Sequence, residues 1–263
     1  MSIDQNQLPQ LLDFAVDIAR GAGQITLDYF KQAPETTTKT DGSFVTIADR
    51  ESETYLRRRI LEKFPGDGIL GEEEGERAGS SGRRWIIDPL DGTFSFVHGV
   101  PFYGVLIALE IQNQIEVGVI NAPAVDEIVY AASGVGCFWN GNPTCVSNTK
   151  RLEDALLLCS DFPACARYGF GPAADAFQAK AKTSRTWGDC YGYVLVATGR
   201  ADVMVDPVMN VWDCAALLPI MEEAGGTFTD WNGVGTATGG NAIATNGLLF
   251  DDVMKIVKDN LVA

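Results

Sequence analysis

Histidine is nearly absent from this chain: its 263 residues contain one, His98. Cysteine is sparse and scattered. Cys137, Cys145, Cys159, Cys165, Cys190 and Cys214 form no C-x-x-C pair, so a Cys/His zinc site and a disulfide framework are both excluded, and reduced thiols are expected. No apolar run approaches the roughly 20 residues needed to cross a bilayer. The first residues, "MSIDQNQLPQ", carry neither a basic start nor a hydrophobic stretch. A cytoplasmic protein is therefore expected. Basic residues are outnumbered, with 20 Lys and Arg against 35 Asp and Glu and a formal net charge of −15. That balance excludes nucleic acid and anionic membranes as partners, since both require a basic face. It leaves room for a site that gathers cations. With 46% hydrophobic and 21% charged residues, the chain has the composition of a folded globular protein.

Two patterns divide the sequence. Leu11, Phe14, Ala15, Ile18, Ala22, Ile25 and Tyr29 recur at helical spacing, which predicts an amphipathic helix. A second helix is predicted from Ala48 to Phe64, stopped by Pro65-Gly66. "GILGEE", "RRWIIDP", "FYGVLIALEI", "QIEVGVINAP" and "DEIVYAA" then read as strands of a largely antiparallel sheet, and Asn-Gly in "FWNGNPT" suits a hairpin turn. After a join near residues 147–155, strand and helix alternate. "ALLLCS", "ADVMV", "GTFTDW" and "NAIATN" read as strands, while "AADAFQAKAK", "YGYVLVATG", "WDCAALLPIMEEAGG" and "FDDVMKIVKDN" read as helices. The expected organisation is an α+β half, residues 1–150, packed on an α/β half, residues 151–263, as one body.

Three acidic clusters sit where apolar elements begin or end. In "GILGEEEGE", Glu72, Glu73 and Glu74 follow a strand; a solvated loop is the plain alternative. In "WIIDPLDGTFSF", Asp88 and Asp91 leave a buried strand. Pro89 restricts the backbone between them, and Gly92 allows close approach to a ligand. The amides of Gly92 and Thr93 could open a short helix toward a phosphate, and a capped turn is the alternative. In "VWDCAALLPIMEEAGG", Asp213 stands where a helix N-cap is expected. Asp49, in "VTIADRE", lies near the start of the second helix. If these carboxylates converge, they repel one another unless cations neutralise them, and an all-oxygen set suits Mg²⁺.

"GEE", "DPLDGT" and "WDCAA", in that order and with "DGSFVTIADRE" upstream, resemble the inositol monophosphatase family of Mg²⁺-dependent phosphomonoesterases. The resemblance covers roughly residues 8–260. It implies a layered α-β-α-β-α sandwich, a homodimer and two or three Mg²⁺ ions per site. Position by position it implies Glu72, Asp88 and the Leu90 carbonyl as ligands of a first metal, and Asp88, Asp91 and Asp213 as ligands of a second. Glu72 and Thr93 are implied to orient the attacking water. Asp49 completes that network or serves a third metal, and the Gly92 and Thr93 amides receive the phosphate. Lys39 matches an upstream lysine able to reach the acidic cluster, which includes Glu73. The chain departs from the common D-G-T-x-N-F at Ser95.

Substrate choice must come from elsewhere. "RTWGDCYGYVLVATGRADVMVDPVMNVWD" resembles the branch of the family that hydrolyses L-histidinol phosphate. Asp189 stands where inositol enzymes tend to carry a small uncharged residue, and Asp206 where an acidic side chain contacts the polyol. Two carboxylates suit an ammonium and an imidazole N–H. A helix cap at Asp189 and a strand end at Asp206 are the plain alternatives, and Trp187 reads as core. An inositol-1-phosphatase, a broad-specificity sugar or nucleotide phosphatase, and a silent metal-binding protein stay open.

Overall fold

The computed structural model describes residues 7–32, 34–39 and 42–260. Asp41, the first residue of the upstream motif, lies outside them.

Helix α1 (Leu8–Tyr29) extends the predicted helix by three residues at its start, where Pro9 fits a first turn that has no hydrogen bond to lose. Strands β1 (Thr36–Thr38) and β2 (Phe44–Thr46) form a small antiparallel hairpin that the sequence pattern did not show; three threonines and a short run give no clear alternation. Helix α2 (Ile47–Lys63) opens on a capping box, with Thr46 as cap and Asp49 as its reciprocal acidic partner.

A large sheet follows from β3 (Gly68–Gly71), β4 (Gly75–Arg77), β5 (Arg83–Asp91), β6 (Gly104–Ile111), β7 (Gln114–Ala122), β8 (Glu127–Ala132), β9 (Gly136–Trp139) and β10 (Asn142–Pro143), with α3 (Thr93–Val97) between β5 and β6. Its order is β10-β9-β8-β7-β6-β5-β3-β4, antiparallel except for β3 beside β5. The β9–β10 turn uses Asn140 and Gly141, both at positive φ, as the Asn-Gly pair predicts.

The second half comprises β11 (Leu156–Cys159), α4 (Phe162–Arg167), α5 (Gly171–Lys180), β12 (Thr183–Arg185), α6 (Asp189–Ala197), β13 (Val203–Asp206), α7 (Val211–Ala215), α8 (Leu217–Glu223), β14 (Thr227–Thr229), β15 (Ala242–Thr245) and α9 (Phe250–Asn260). Its sheet runs β12-β11-β13-β15-β14, with the first three strands parallel. The segment "WDCAALLPIMEEAGG" is two helices rather than the single one expected. Pro219 has no N–H to give the Ala215 carbonyl, and its ring would crowd that turn, so the helix restarts after Ala216.

Alternation along β5 and its neighbours sorts the layers. Trp85, Ile87, Val105, Ile107 and Val119 face α1 and α2, while Ile86, Leu106, Ala108 and Ile120 face α6, α7 and α8. The same central helices meet Leu158, Met204 and Ala244 of the small sheet, whose other face is covered by α4, α5 and α9. The result is the α-β-α-β-α sandwich. Gly118 shows how closely the layers approach, because a Cβ there would lie 2.1 Å from the Ala216 carbonyl oxygen. All six cysteines are free thiols, and no described helix is long and apolar enough to cross a membrane.

Candidate active site

The site begins where β5 stops behaving as a strand. Pro89 cannot donate to the β5–β6 ladder, and the register shifts between Asp88 and Asp91. Within the shift, the Leu90 amide folds back 2.9 Å onto Asp88 Oδ1. Gly92 then turns at φ +81°, where an added Cβ would lie 2.9 Å from the Phe102 carbonyl oxygen and 3.1 Å from Asp189 Oδ2. Only glycine fits that turn without strain. Thr93 opens α3, and its hydroxyl lies 3.0 Å from the Leu90 carbonyl oxygen and 3.3 Å from Asp49 Oδ1.

Asp88, Asp91 and Asp213 each bring a carboxylate oxygen to a common point, the three atoms lying within 4.8 Å of one another. Asp213 is not the N-cap its position suggested. Asn210 is the cap of α7, and Asp213 is the reciprocal partner three residues on, accepting the Asn210 amide at 2.7 Å. The local box therefore holds the carboxylate through Oδ2 at the edge of the cluster. Asp91 is held by the Cys190 amide at 2.5 Å.

Burial and mutual repulsion raise every pKa in the group. Burial is the main cause at Asp88, followed by Glu72, Asp91 and Asp213; at Asp91 it is burial, then Asp189 and Asp213. Asp213 is pushed up to about 6 by burial. Asp49 is raised chiefly by burial, against the hydrogen bonds it accepts from Thr46. A set of hard oxygen donors that share one volume and repel one another fits a divalent cation of the magnesium type.

Glu72 stands beside this cluster rather than in it. Lys39 Nζ bridges Glu72 at 2.8 Å and Glu73 at 2.6 Å. Burial works against the lysine charge, but the two glutamates outweigh it and hold the ammonium above its usual range. The turn that carries these residues hangs from Glu53, a fully buried side chain that accepts the amides of Glu73 and Glu74 at 2.8 and 3.0 Å and pairs with Arg57. Glu53 was not picked out from the sequence; its i,i+4 spacing to Arg57 is the signal that was available.

Asp91, Asp213, Asp189 and Asp206 line one cavity of about 190 Å³, with Ser160 and Asp161 beside them. Asp206 ends β13, and Ser160 follows the parallel strand β11, so both lie at carboxyl ends of neighbouring strands, where an α/β sheet forms its crevice. That rule could have found Ser160 and Asp161, which the sequence reading missed. Asp206 is buried, accepts the Ser160 amide at 3.1 Å and the Tyr193 hydroxyl at 2.9 Å, and is pushed up to about 7 by burial. Asp189, the first residue of α6, accepts the Ser95 hydroxyl at 3.1 Å and makes no side-chain cap to its own helix. Trp187 is 40% exposed and is not core as expected. His98 is exposed and bonds only the Phe94 carbonyl.

The inositol monophosphatase family matches the chain over residues 7–260. The chain belongs to that family. A histidinol-phosphatase of Chlorobaculum parvum is 46% identical over 223 residues, covering 84% of this chain and 86% of its own. A histidinol-phosphatase of Mycobacterium tuberculosis is 41% identical, covering 82% and 85%. The solved structure of a Thermotoga maritima IMPase is 32% identical and superimposes with a TM-score of 0.86 over 95% of this chain and 97% of that one. As a member of the inositol monophosphatase family the chain is a metal-dependent phosphatase, and the layered sandwich is that of its structural relatives.

Proposed function

We propose that this protein is a Mg²⁺-dependent phosphomonoesterase that releases phosphate from L-histidinol phosphate. The observation that carries this reading is the character of the cavity. Asp91, Asp189, Asp206 and Asp213 all line it, with no lysine or arginine among its described lining residues. A polyol has no charge to offer these carboxylates, whereas histidinol carries an ammonium and an imidazole, either of which gives a charge-assisted hydrogen bond to a carboxylate. The two histidinol-phosphatase relatives, at 46% and 41% identity, support the same choice.

Asp88, Asp91 and Asp213, with Glu72 and the Leu90 carbonyl, would hold the ions. Bound Mg²⁺ supplies charge to neutralise the phosphoryl oxygens and lowers the pKa of a water. The chain's own residues do the rest. The Thr93 hydroxyl, between Asp49 and the Leu90 carbonyl, can accept a proton from the attacking water while passing its own to Asp49, whose buried carboxylate is already biased toward protonation. Lys39 pairs with Glu72 at 2.8 Å and so restrains its carboxylate. The amides of Gly92 and Thr93 face the phosphate without an opposing side chain at position 92.

The test is phosphate release from L-histidinol phosphate, inositol 1-phosphate, fructose 1,6-bisphosphate and a nucleotide 3′-phosphate, each with Mg²⁺ and with EDTA. The expected result is the highest kcat/KM for histidinol phosphate and loss of all release in EDTA. Faster turnover of the inositol ester would make Asp189 and Asp206 polyol contacts and overturn the substrate while keeping the chemistry.

A further inference from the structure

Asp189 is one of six described non-glycine residues with positive φ, at +51°, and the only one of them that lines the candidate active-site cavity. A left-handed aspartate costs of order 1 kcal/mol and persists only when its surroundings hold it. Three hydrogen bonds from three separate elements do so. The Asp189 amide donates to Ser160 Oγ at 2.8 Å, the Ser95 hydroxyl donates to Asp189 Oδ2 at 3.1 Å, and the next amide, Cys190, donates to Asp91. Gly188 presses this turn against Ser160, where a Cβ would come within 2.3 Å of the Ser160 Cα. The Asp189 turn is thus tied at one point to the phosphate turn through Ser95 and at another to a candidate metal ligand through Cys190.

Asp189 and Asp206 are not equivalent. Asp206 has an amide on one oxygen and a hydroxyl on the other, and its side chain is enclosed. Asp189 has one oxygen engaged, by Ser95, and only its other oxygen is left without a protein donor. We propose that Ser95 is a positioning residue for substrate choice: it fixes the Asp189 carboxylate with Oδ2 turned to the phosphate turn and Oδ1 presented to the cationic group of the ester, while Asp206 serves as the frame that holds Ser160. The proposal rests on the substrate reading given above. The Ser95 hydroxyl reaches the same Asp189 oxygen that lies close to Gly92, 3.1 Å from where a Cβ there would stand.

The experiment compares the wild type with Ser95→Ala, Ser95→Thr and Ser160→Ala in Mg²⁺. Two quantities are read: the ratio of kcat/KM for L-histidinol phosphate to that for inositol 1-phosphate, and amide hydrogen exchange of the peptide spanning 187–191. For Ser95→Ala the ratio should fall about tenfold, chiefly through a higher KM for histidinol phosphate, as expected when one charge-assisted contact is misaligned. Exchange across 187–191 should quicken. Ser95→Thr, which keeps the hydroxyl, should restore both, and Ser160→Ala should reproduce both losses. A Ser95→Ala enzyme with an unchanged ratio, or one that loses both substrates in equal proportion, overturns the proposal, because a merely structural serine would behave in that way. A wild type with no preference for the cationic ester sinks the substrate reading, and with it the cationic role of Asp189. Whether Ser95 pins the turn is then decided by exchange alone.

Discussion

Two buried aspartates sit at opposite ends of the parallel β3–β5 pair, Asp67 just before β3 and Asp88 late in β5, and the two are treated in opposite ways. At its start, Asp67 is fully enclosed and receives Arg83 at 3.0 and 3.1 Å, the Trp85 indole at 2.9 Å and the Ser81 hydroxyl at 2.7 Å. At its far end, Asp88 is equally enclosed but receives one backbone amide, and its nearest charged neighbours are further carboxylates. A buried charge with a cation and neutral donors around it is part of the framework. The same charge among like charges is a deficit that the fold tolerates only because something positive is meant to bind there. The difference separates structural from functional acidity without reference to any relative.

Asp88→Asn tests the far end and should have the largest effect. Phosphate release should fall by about a thousandfold or more, on the scale of losing a preorganised electrostatic contact. At the same time the Mg²⁺-free protein should melt higher, because a repulsive charge has gone. A lower melting temperature in EDTA would mean that Asp88 is structural like Asp67 and would erase the contrast. At the near end, Asp67→Asn strands the Arg83 guanidinium and weakens the indole contact. Stability measured by urea unfolding should drop by about 3 kcal/mol, the lower end for breaking a buried pair, since Arg83 is partly exposed. The remaining folded enzyme should keep its metal dependence.

The pH dependence sharpens the comparison further. Asp213 and Asp206 are raised to about 6 and about 7, above the ordinary value near 3.8. Between those limits the folded protein holds protons that the unfolded chain has released, so stability falls as pH rises from about 4 through 7, and the raised Asp88 and Asp91 act in the same direction. Melting temperatures in EDTA should be higher at pH 5 than at pH 8, and Mg²⁺ should recover most of the loss at pH 8. A melting temperature that rises with pH in EDTA would contradict the repulsive cluster. The smallest effect is expected for Tyr193→Phe. Removing its hydroxyl from Asp206 should cost about 1–2 kcal/mol in stability, with metal affinity by calorimetry nearly unchanged.

Much of this architecture is legible in the sequence itself. Short runs rich in Val, Ile and aromatics between turn residues mark β5 to β8, the spacing from Leu11 to Tyr29 marks α1, and Asn140-Gly141 marks a hairpin, because each depends on contacts between near neighbours. The acidic clusters at element ends are legible for the same reason. The roles of Asp213 and Asp49 within capping boxes are only half legible, since the cap residues Asn210 and Thr46 must be paired with them before the boxes show. Pro219 marks the break at Ala216, although the apolar run around it reads as one helix. The β1–β2 hairpin, Glu53 and Ser160 carry too little local pattern to stand out.

The sequence alone determined which residues could bear the chemistry: oxygen ligands rather than sulfur or imidazole, a proline and glycine to bend β5, and aspartates at positions 189 and 206. Tertiary structure decided which of them meet. The convergence of Asp88, Asp91 and Asp213, the cavity facing Asp189 and Asp206, and the pin from Ser95 across 94 positions of chain to Asp189 all depend on two sheets closing over one helical layer. Local pattern encodes the conformation of neighbours, but the distance between remote side chains is fixed only when the core packs.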